Sequence, residues 1–407
     1  MEKRYKLFLG FLIASYWVAC APKQFDKDPE ANKCQNFAEK CISANGKDHF
    51  DYTARANGGL VDVLFVDDNS GSMSFEQSHM AERFSSFLQE LDSRVIDYRI
   101  GIITTDVSSS ATSSTLDDSP TSALYNEPRA INKNGALQDG NLVPFQDGAL
   151  PFLSYDTADK ETLFSKNIQR GETLQCETFL KKYPSSPPPV DQAHENCPSG
   201  DERGIFAANL FFDKNPSSFI RPQAHLAIVF LADEDVRSGL YRNTSNKSYA
   251  LETNDLPETL VNKVKSAYSG KSLSIHSIIV KPGDTSCEAK QNTQMGPAAI
   301  NPTYGVTYNQ MLGSQGLKYA EATQLTGGIL GDICANDYGS QLANIGANIV
   351  DRLSDITLAC SNAQDLNVTL TPAQPGISWT TSGANLQFSE ALTPGTKVRV
   401  QYDCQTL

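Results

Sequence analysis

Three oxygen-bearing side chains stand at alternate positions in the segment 67–73, DDNSGSM. Asp68, Ser70 and Ser72 form the pattern D-x-S-x-S, in which a tight turn can direct one carboxylate and two hydroxyls toward a common point. Oxygen ligands suit hard divalent cations such as Mg²⁺, which prefers near-octahedral coordination and keeps several waters. Two neutral hydroxyls add donor oxygens without adding charge, so the ion stays electron-poor and an acidic side chain from another molecule can occupy an open position.

The position of this motif in the chain is stronger evidence for a binding site than its spacing alone. Ordinary Asp and Ser usage produces the spacing in roughly one chain of this length in ten. Here it follows the apolar run 60–66 (LVDVLFV), which predicts a buried strand, and precedes helical spacing of apolar residues over 75–91. Open parallel sheets bind ligands at the carboxyl ends of their strands. The alternative is a strand-to-helix turn in which Ser72 or Ser74 only caps the helix.

Further apolar strands alternate with amphipathic helices along the chain. The remaining predicted strands cover residues 98–104, 225–232, 273–280 and 329–333, and the remaining predicted helices cover 205–212, 257–268, 318–325 and 339–353. This alternation predicts an α/β fold, with a doubly wound, mostly parallel sheet that has helices on both faces.

The strand that ends at Ala232 is followed by Asp233-Glu234-Asp235. Together with D-x-S-x-S after the first strand, this arrangement resembles the von Willebrand factor A and integrin I-domain family. The resemblance covers residues 59–355, apart from an insertion at 107–203. The family's metal-ion-dependent adhesion site adds to the motif a Thr or Ser from a later loop and an Asp after the fourth strand. Ala232 departs from the family, which usually has Thr there.

The resemblance implies a ligand set for Mg²⁺, or for Mn²⁺ or Ca²⁺, made of Asp68, Ser70, Ser72, Ser199 and Asp233. Asp233 would act through water, and Asp235 is the alternative carboxylate. Thr173 is the alternative to Ser199 if the stretch between Cys176 and Cys197 is a later insertion. The implied function is adhesion, in which the cation bridges to a carboxylate of a protein partner.

The first twenty residues predict an export signal. A basic start precedes the apolar run 7–19, which is too short to span a bilayer comfortably. Its ending, WVAC, resembles a bacterial lipobox, although Trp17 departs from the usual Leu, and it implies that residues 1–20 end at a lipid-bearing Cys20. Ala21, in place of Asp, implies the outer membrane. Ordinary cleavage after Ala21 is the alternative, and residues 21–58 are expected to be a polar spacer containing one short disulfide.

Cysteine parity supports export. The chain has nine cysteines, and setting Cys20 aside leaves an even number, which in an exported protein predicts disulfides. We predict pairing between nearest neighbours: Cys34–Cys41, Cys176–Cys197, Cys287–Cys334 and Cys360–Cys404. Free thiols are the alternative. A zinc site is a weaker interpretation, because the sequence contains no CxxC and only five histidines.

Two regions depart from the strand–helix alternation. Residues 107–203 form a long insertion, with hairpin-like runs over 135–155 and a Pro/Ser-rich stretch over 184–190. Because it leads toward the edge that carries the motif, our hypothesis is that it sets the choice of partner. Deleting residues 176–197 would then change the partner and leave metal affinity largely intact. Residues 356–407 predict a small all-β module, which Cys360 and Cys404 could clasp.

Composition and missing motifs narrow the function. The net charge of −13 disfavours nucleic acid as a partner. The sequence contains no HExxH, GxSxG, P-loop or GxGxxG, so we expect no enzyme. We expect instead an outer-membrane lipoprotein that binds a protein through a metal, with the lipid anchor as its contact with the membrane. A metal-assisted hydrolase of the envelope and a structural lipoprotein with a non-functional metal site are the alternatives.

Overall fold

The computed structural model describes residues 41–405 with internal gaps. The gaps are at 45, 56–58, 95, 108–138, 184–191, 193–195, 199–201, 215–217, 222–223, 243–249, 269–270, 294–299, 302–305, 308–312, 355, 391 and 394–395. The predicted export signal with Cys20, the predicted disulfide partner Cys34 and the predicted ligand Ser199 lie outside the described residues.

Helices and strands alternate through most of the described chain. In chain order, the helices are α1 (Ser74–Ser93), α2 (Lys160–Ile168), α3 (Gly171–Leu180), α4 (Gly204–Asp213), α5 (Pro257–Ala267), α6 (Thr285–Thr293), α7 (Leu317–Thr326) and α8 (Tyr338–Asp351). The strands are β1 (Cys41–Ala44), β2 (Lys47–Arg55), β3 (Leu60–Asp67), β4 (Asp97–Thr104), β5 (Leu153–Ser154), β6 (His225–Ala232), β7 (Leu273–Ile279), β8 (Ile300–Asn301), β9 (Val306–Thr307), β10 (Leu330–Asp332), β11 (Ile356–Thr357), β12 (Gln364–Thr371), β13 (Trp379–Ser382), β14 (Asn385–Phe388) and β15 (Lys397–Gln405).

The central sheet has six strands in the order β10-β7-β6-β3-β4-β5. Neighbouring strands pair in parallel, except that β5 runs antiparallel to β4. Because β3 pairs with β4 on one side and with β6 on the other, the chain changes direction across the sheet between β3 and β6. This is the topological switch point at which open α/β sheets bind ligands.

Helices cover both faces of this sheet, because successive strand side chains point to opposite faces. Val63 and Phe65 of β3 face a core that is shared with α1, α2 and α8. Leu64 and Val66 of the same strand face a second core, shared with α4, α5 and α7. The predicted α/β fold with a doubly wound, mostly parallel sheet is confirmed.

The described part of the insertion is built into this domain. Phe164 of α2 stacks on Phe84 of α1 with ring centroids 3.4 Å apart, and buried Leu153 of β5 pairs with Ile100 of β4. Of the hairpin-like runs expected over 135–155, the described residues 139–155 contain one isolated bridge, Phe145 to Leu150, and the two-residue β5. The insertion therefore contributes core side chains as well as loops.

The small β module contains two antiparallel sheets, ordered β1-β2-β15-β12 and β11-β14-β13. Residues 41–55 correct our expectation of an irregular spacer, because β2 pairs with β15 along its whole length. The alternation of buried and exposed side chains explains why this strand was not predicted. Phe50 is buried and stacks on Tyr402 with ring centroids 4.8 Å apart, whereas His49 and Asp51 are exposed. A segment that is polar on average thus carries one apolar face.

The structure contains three of the predicted disulfides: Cys176–Cys197, Cys287–Cys334 and Cys360–Cys404. Cys41 is also disulfide-bonded. Within the part of the chain that the structure describes, no helix is both long enough and apolar enough to cross a membrane.

Candidate metal centre

The sheet brings the two predicted carboxylates to the same edge. Asp68 follows β3 and Asp233 follows β6, and these strands are parallel neighbours in which Asp67 lies opposite Leu231. Asp68 N donates to Leu231 O at 2.9 Å, so the strand ladder continues into the residues that carry the site. We call residues 68–72 the motif turn.

Hydrogen bonds within the motif turn gather its oxygens. Ser70 N donates to Asp68 Oδ1 at 2.8 Å, and Ser70 Oγ and Ser72 Oγ lie 3.0 Å apart. Asp68 Oδ2 is buried and receives no hydrogen bond from any described residue. Helix α1 begins with Met73 as N-cap residue and has no side-chain cap, so neither Ser72 nor Ser74 is used as one.

Burial raises the pKa of Asp68 to about 6, and hydrogen bonds from Ser70 and Thr105 oppose this shift. Thr105, which follows β4, has its Oγ1 at 3.5 Å from Asp68 Oδ1. We did not predict Thr105 as part of the site, although the rule that ligands bind at the ends of strands would have indicated it.

Asp233 faces the motif turn. Burial, and then the charges of Asp68 and Glu76, raise the pKa of Asp233 well above its ordinary value, while the Ser72 hydroxyl lowers it. Ser72 therefore lies beside this carboxylate. Even so, no described residue makes a hydrogen bond of normal geometry to either Asp233 oxygen, and both oxygens are buried.

Three further buried carboxylates surround this pair, and we did not predict them. They are Glu76 of α1, Glu202 before α4 and Glu234 after β6. Burial, followed by the charges of Glu202 and Asp233, raises the pKa of Glu234 well above its ordinary value. Glu202 Oε2 accepts a hydrogen bond from Ser238 Oγ, and Glu76 Oε1 accepts one from Gln291 Nε2 at 2.9 Å.

The donor set fits a hard divalent cation. Carboxylates crowded in a low-dielectric region are costly unless they are protonated or balanced by a cation. Carboxylate and hydroxyl oxygens are ligands that Mg²⁺, Mn²⁺ and Ca²⁺ accept. A second group of potential ligands, Cys287, Asp332 and Cys334, does not fit a metal, because its two sulfurs form a disulfide.

The alternative carboxylate, Asp235, is used elsewhere. Its Oδ1 accepts from Lys318 N at 3.0 Å, and its Oδ2 accepts from Tyr241 Oη at 2.7 Å and Arg242 Nη2 at 3.4 Å. These bonds link the β6 loop to the start of α7. The structure therefore brings together Asp68, Ser70, Ser72 and Asp233, and gives Asp235 a different set of partners.

The alternative hydroxyl ligand, Thr173, contacts the motif turn through the backbone. Thr173 Oγ1 donates to Asn69 O at 2.8 Å and lies 3.2 Å from Gln77 Nε2, which can donate to it. Both roles of the hydroxyl, donor and acceptor, are thus in use. The other candidate, Ser199, precedes α4, which begins at Gly204.

No protein-family model matches the sequence, and no curated protein does. Among solved structures, the pilus adhesin SpaC from Lactobacillus rhamnosus GG is 11% identical, and the match covers 89% of this chain and 42% of SpaC at a TM-score of 0.34. This chain thus spans less than half of the length of SpaC.

Two further solved structures are similar at comparable levels. A von Willebrand factor type A structure from Catenulispora acidiphila is 11% identical over 89% of this chain and 67% of its own, with a TM-score of 0.30. The pilus adhesin RrgA from Streptococcus pneumoniae is 8% identical over 89% of this chain and 60% of its own, with a TM-score of 0.27. With TM-scores this low, these matches establish nothing about ligand or activity.

Proposed function

We propose that this chain is an exported von Willebrand factor A-type adhesion protein that binds a protein partner through a divalent cation. The observation that carries the proposal is the environment of Asp233. Its two buried carboxylate oxygens, which lack hydrogen-bond partners among the described residues, lie beside the hydroxyl of Ser72 and within electrostatic reach of Asp68. An oxygen-lined, negatively charged position between two strand ends is the environment that a hard cation requires.

The ligands would have separate roles. Asp68 and Asp233 supply charge that offsets part of the charge of the cation, while Ser70, Ser72 and the proposed loop ligand Ser199 supply neutral oxygens. When bound, the cation would act as a Lewis acid with a position open to a carboxylate of the partner. Because Asp68, Ser72 and Asp233 are buried, bulk water would compete weakly at this position.

The cellular setting follows from the cysteines. Disulfides persist in oxidising compartments, and the α/β domain and the β module each contain at least one. We propose that lipid-bearing Cys20 holds the protein at the outer membrane. We propose Mg²⁺ as the cation, with Mn²⁺ or Ca²⁺ as substitutes, and binding without turnover of a substrate.

Calorimetric titration with MgCl₂ or MnCl₂ tests the metal site directly. We expect wild type to bind one cation and Asp68→Ala to bind at least about tenfold more weakly, a difference of about 1.4 kcal/mol. Asp213→Ala is the matched control, because Asp213 is a half-exposed aspartate at the end of α4, paired with Lys263. Equal affinity in wild type and Asp68→Ala, or no binding by wild type, would overturn the proposal.

A further inference from the structure

We infer that helix α3 and the Cys176–Cys197 disulfide position the motif turn, so that metal affinity depends on this disulfide. This inference rests on the proposed function, because it concerns the same metal site. It assigns to the insertion a role in building the site, whereas our hypothesis from the sequence is that the insertion sets the choice of partner and that deleting residues 176–197 leaves metal affinity largely intact.

The disulfide packs directly against the motif turn. A Cβ atom added to Gly71 would lie 2.7 Å from Cys176 Sγ and 3.3 Å from Cys176 Cβ. Leu180, the last residue of α3, would lie 3.1 Å from the same added atom. Glycine is therefore required at position 71 by this close approach, and the sulfur limits how far the turn can move toward α3.

Hydrogen bonds from side chains of α1 and α3 hold the backbone of the motif turn. Gln77 Nε2 donates to Asp68 O at 2.9 Å, and Thr173 Oγ1 donates to Asn69 O at 2.8 Å. Gln77 Oε1 in turn accepts from Arg170 N at 3.1 Å, just before α3 begins. Two successive carbonyl groups of the turn are thus fixed by side chains that also contact each other.

The side chain of Asn69 adds a contact to the same helix. Asn69 Nδ2 lies 3.4 Å from Glu172 Oε1, and Arg170 Nε donates to that oxygen at 2.6 Å. Every side chain in this contact is at least four-fifths buried. The motif turn therefore packs on the first turn of α3 through backbone and side chains, and Cys176 lies one helical turn beyond Thr173.

This arrangement bears on metal affinity because ligands that are held in place lose less entropy when the ion binds. The disulfide also joins α3 to Cys197, which precedes the proposed ligand Ser199 by two positions in the sequence. One covalent link thus connects the support of the motif turn to the segment that leads to the loop ligand.

The test compares two variants that each lack one disulfide. Cys176→Ala/Cys197→Ala removes the link beside the turn, and Cys360→Ala/Cys404→Ala is the matched control in the β module. We expect the first variant to bind Mn²⁺ about tenfold more weakly by calorimetry and the control to bind like wild type. Hydrogen exchange at the amides of residues 68–73, measured in EDTA, should become faster in the first variant alone.

A second pair of variants covers the case in which the first does not fold. Thr173→Val removes the hydroxyl that holds Asn69 O while keeping the shape of the side chain, and Thr173→Ser keeps the hydroxyl. We expect faster exchange in EDTA and weaker Mn²⁺ binding for Thr173→Val, with rescue by Thr173→Ser. If Thr173→Val weakens Mn²⁺ binding but leaves exchange in EDTA unchanged, Thr173 acts as a metal ligand and does not hold the turn. That result would overturn the inference.

The two proposals fail in different ways. If wild type binds Mn²⁺ and the Cys176→Ala/Cys197→Ala variant binds it equally well, the positioning role is wrong and the proposed function stands. If wild type does not bind Mn²⁺, the proposed function is wrong, and the inferred control of metal affinity fails with it. The exchange measurement in EDTA would then still show whether the disulfide holds the turn.

Discussion

Arg203 and Asp255 form a buried ion pair with two parallel hydrogen bonds: Nε to Oδ1 at 3.1 Å and Nη2 to Oδ2 at 2.8 Å. The guanidinium also donates to Glu252 at 2.8 Å and stacks on Phe206, with Cζ 3.9 Å from the ring centroid. Because Arg203 directly follows Glu202, this pair anchors the segment that brings Glu202 beside Asp233 and Glu234.

Substitution of Arg203 should therefore be costly. Arg203→Ala leaves the Asp255 carboxylate buried without its main partner, and we expect a loss of about 3–5 kcal/mol in the free energy of unfolding. Arg203→Lys keeps the charge but cannot make both parallel bonds, so we expect a smaller loss of about 1–3 kcal/mol. Urea unfolding followed by far-ultraviolet circular dichroism measures both.

The control is Lys181→Ala, which removes an exposed ion pair to Glu177 on α3, at 2.7 Å. We expect that substitution to change the free energy of unfolding by about 0.5 kcal/mol or less. Similar losses for Arg203→Ala and Lys181→Ala would show that burial of the Arg203–Asp255 pair has no energetic consequence.

Asp233→Asn should separate stability from metal binding. Burial and neighbouring carboxylates raise the pKa of Asp233, so its charge destabilises the metal-free fold. The neutral amide removes that repulsion, and we expect the variant in EDTA to be more stable than wild type by about 1–3 kcal/mol. Because a metal ligand is lost, the increase in melting temperature that MgCl₂ gives wild type should disappear.

Asp62→Asn is the matched comparison. Asp62 is also fully buried, but its two oxygens accept hydrogen bonds from Arg221 at 2.8 and 2.7 Å. Burial raises the pKa of Asp62 as well, but Arg221 and Lys271 oppose that shift. An Asn side chain has one acceptor oxygen and cannot keep both hydrogen bonds from Arg221, so Asp62→Asn should destabilise the protein at any metal concentration. If both variants are destabilised in EDTA, Asp233 is not under electrostatic strain and the metal site is misassigned.

The part of the candidate site that could be predicted from the sequence is the part encoded locally. Asp68, Ser70 and Ser72 lie within five positions after an apolar strand, and Asp233 lies at the end of another. Parallel pairing of those strands brings them together without any information about loops.

The supporting residues could not be read in this way, because their roles depend on distant packing. Glu202 is buried, and it accepts hydrogen bonds from Ser238 Oγ at its side chain and from Tyr319 Oη at its backbone carbonyl, both from other segments. Thr173 lies 104 positions from Asn69, its backbone partner. The β2 strand was missed for another reason: His49 and Asp51 alternate with Phe50 and Tyr52, so the average polarity concealed one apolar face.

Two buried histidines, His225 and His276, are linked by hydrogen bonds through Ser274. Ile329 N donates to His276 Nδ1 at 3.0 Å, which leaves the His276 proton on Nε2, facing Ser274 Oγ at 2.9 Å. Ser274 Oγ also lies 2.8 Å from His225 Nε2, and Ser272 Oγ lies 2.8 Å from His225 Nδ1. An added proton on His276 Nδ1 would direct a donor at the N–H of Ile329.

Because these two histidines are buried in the neutral state, we expect the protein to lose stability in acid. Burial, and then the charge of Arg352, lower the pKa of His276 to about 3, and burial lowers the pKa of His225 well below its ordinary value. As the pH falls below about 6.5, the unfolded chain takes up protons that the folded protein cannot. The stability should therefore fall by up to about 1.4 kcal/mol per pH unit for each histidine.

The contribution of His276 is isolated by comparing how the free energy of unfolding changes with pH in wild type and in His276→Asn. Asp233 and Glu234 have raised pKa values, so their protonation on acidification changes stability in the opposite direction. We therefore expect His276→Asn to be less stable than wild type at neutral pH but to lose less stability between about pH 6.5 and pH 5. Parallel curves of unfolding free energy against pH for the two proteins would contradict the assigned protonation states.

The contact between Gly71 and Cys176 can be measured by a double-mutant cycle in EDTA. Gly71→Ala adds a methyl group 2.7 Å from Cys176 Sγ, so we expect overpacking to cost about 1–3 kcal/mol. In the Cys176→Ala/Cys197→Ala background that sulfur is absent, and the cost should fall by about 0.5 kcal/mol or more. Leu180 and the remaining Cβ at position 176 still crowd the site, so part of the cost should persist.

Gly171→Ala, at the start of α3, is the control for this cycle. A Cβ at Gly171 would meet nothing within 4 Å, so this substitution should have the same effect on unfolding in both backgrounds. The expected pattern is coupling at position 71 without coupling at position 171, because only the first methyl group competes with the disulfide for space. If Gly71→Ala costs the same with and without the disulfide, Cys176 does not limit the motif turn, and the dependence of metal affinity on this bond has no structural basis.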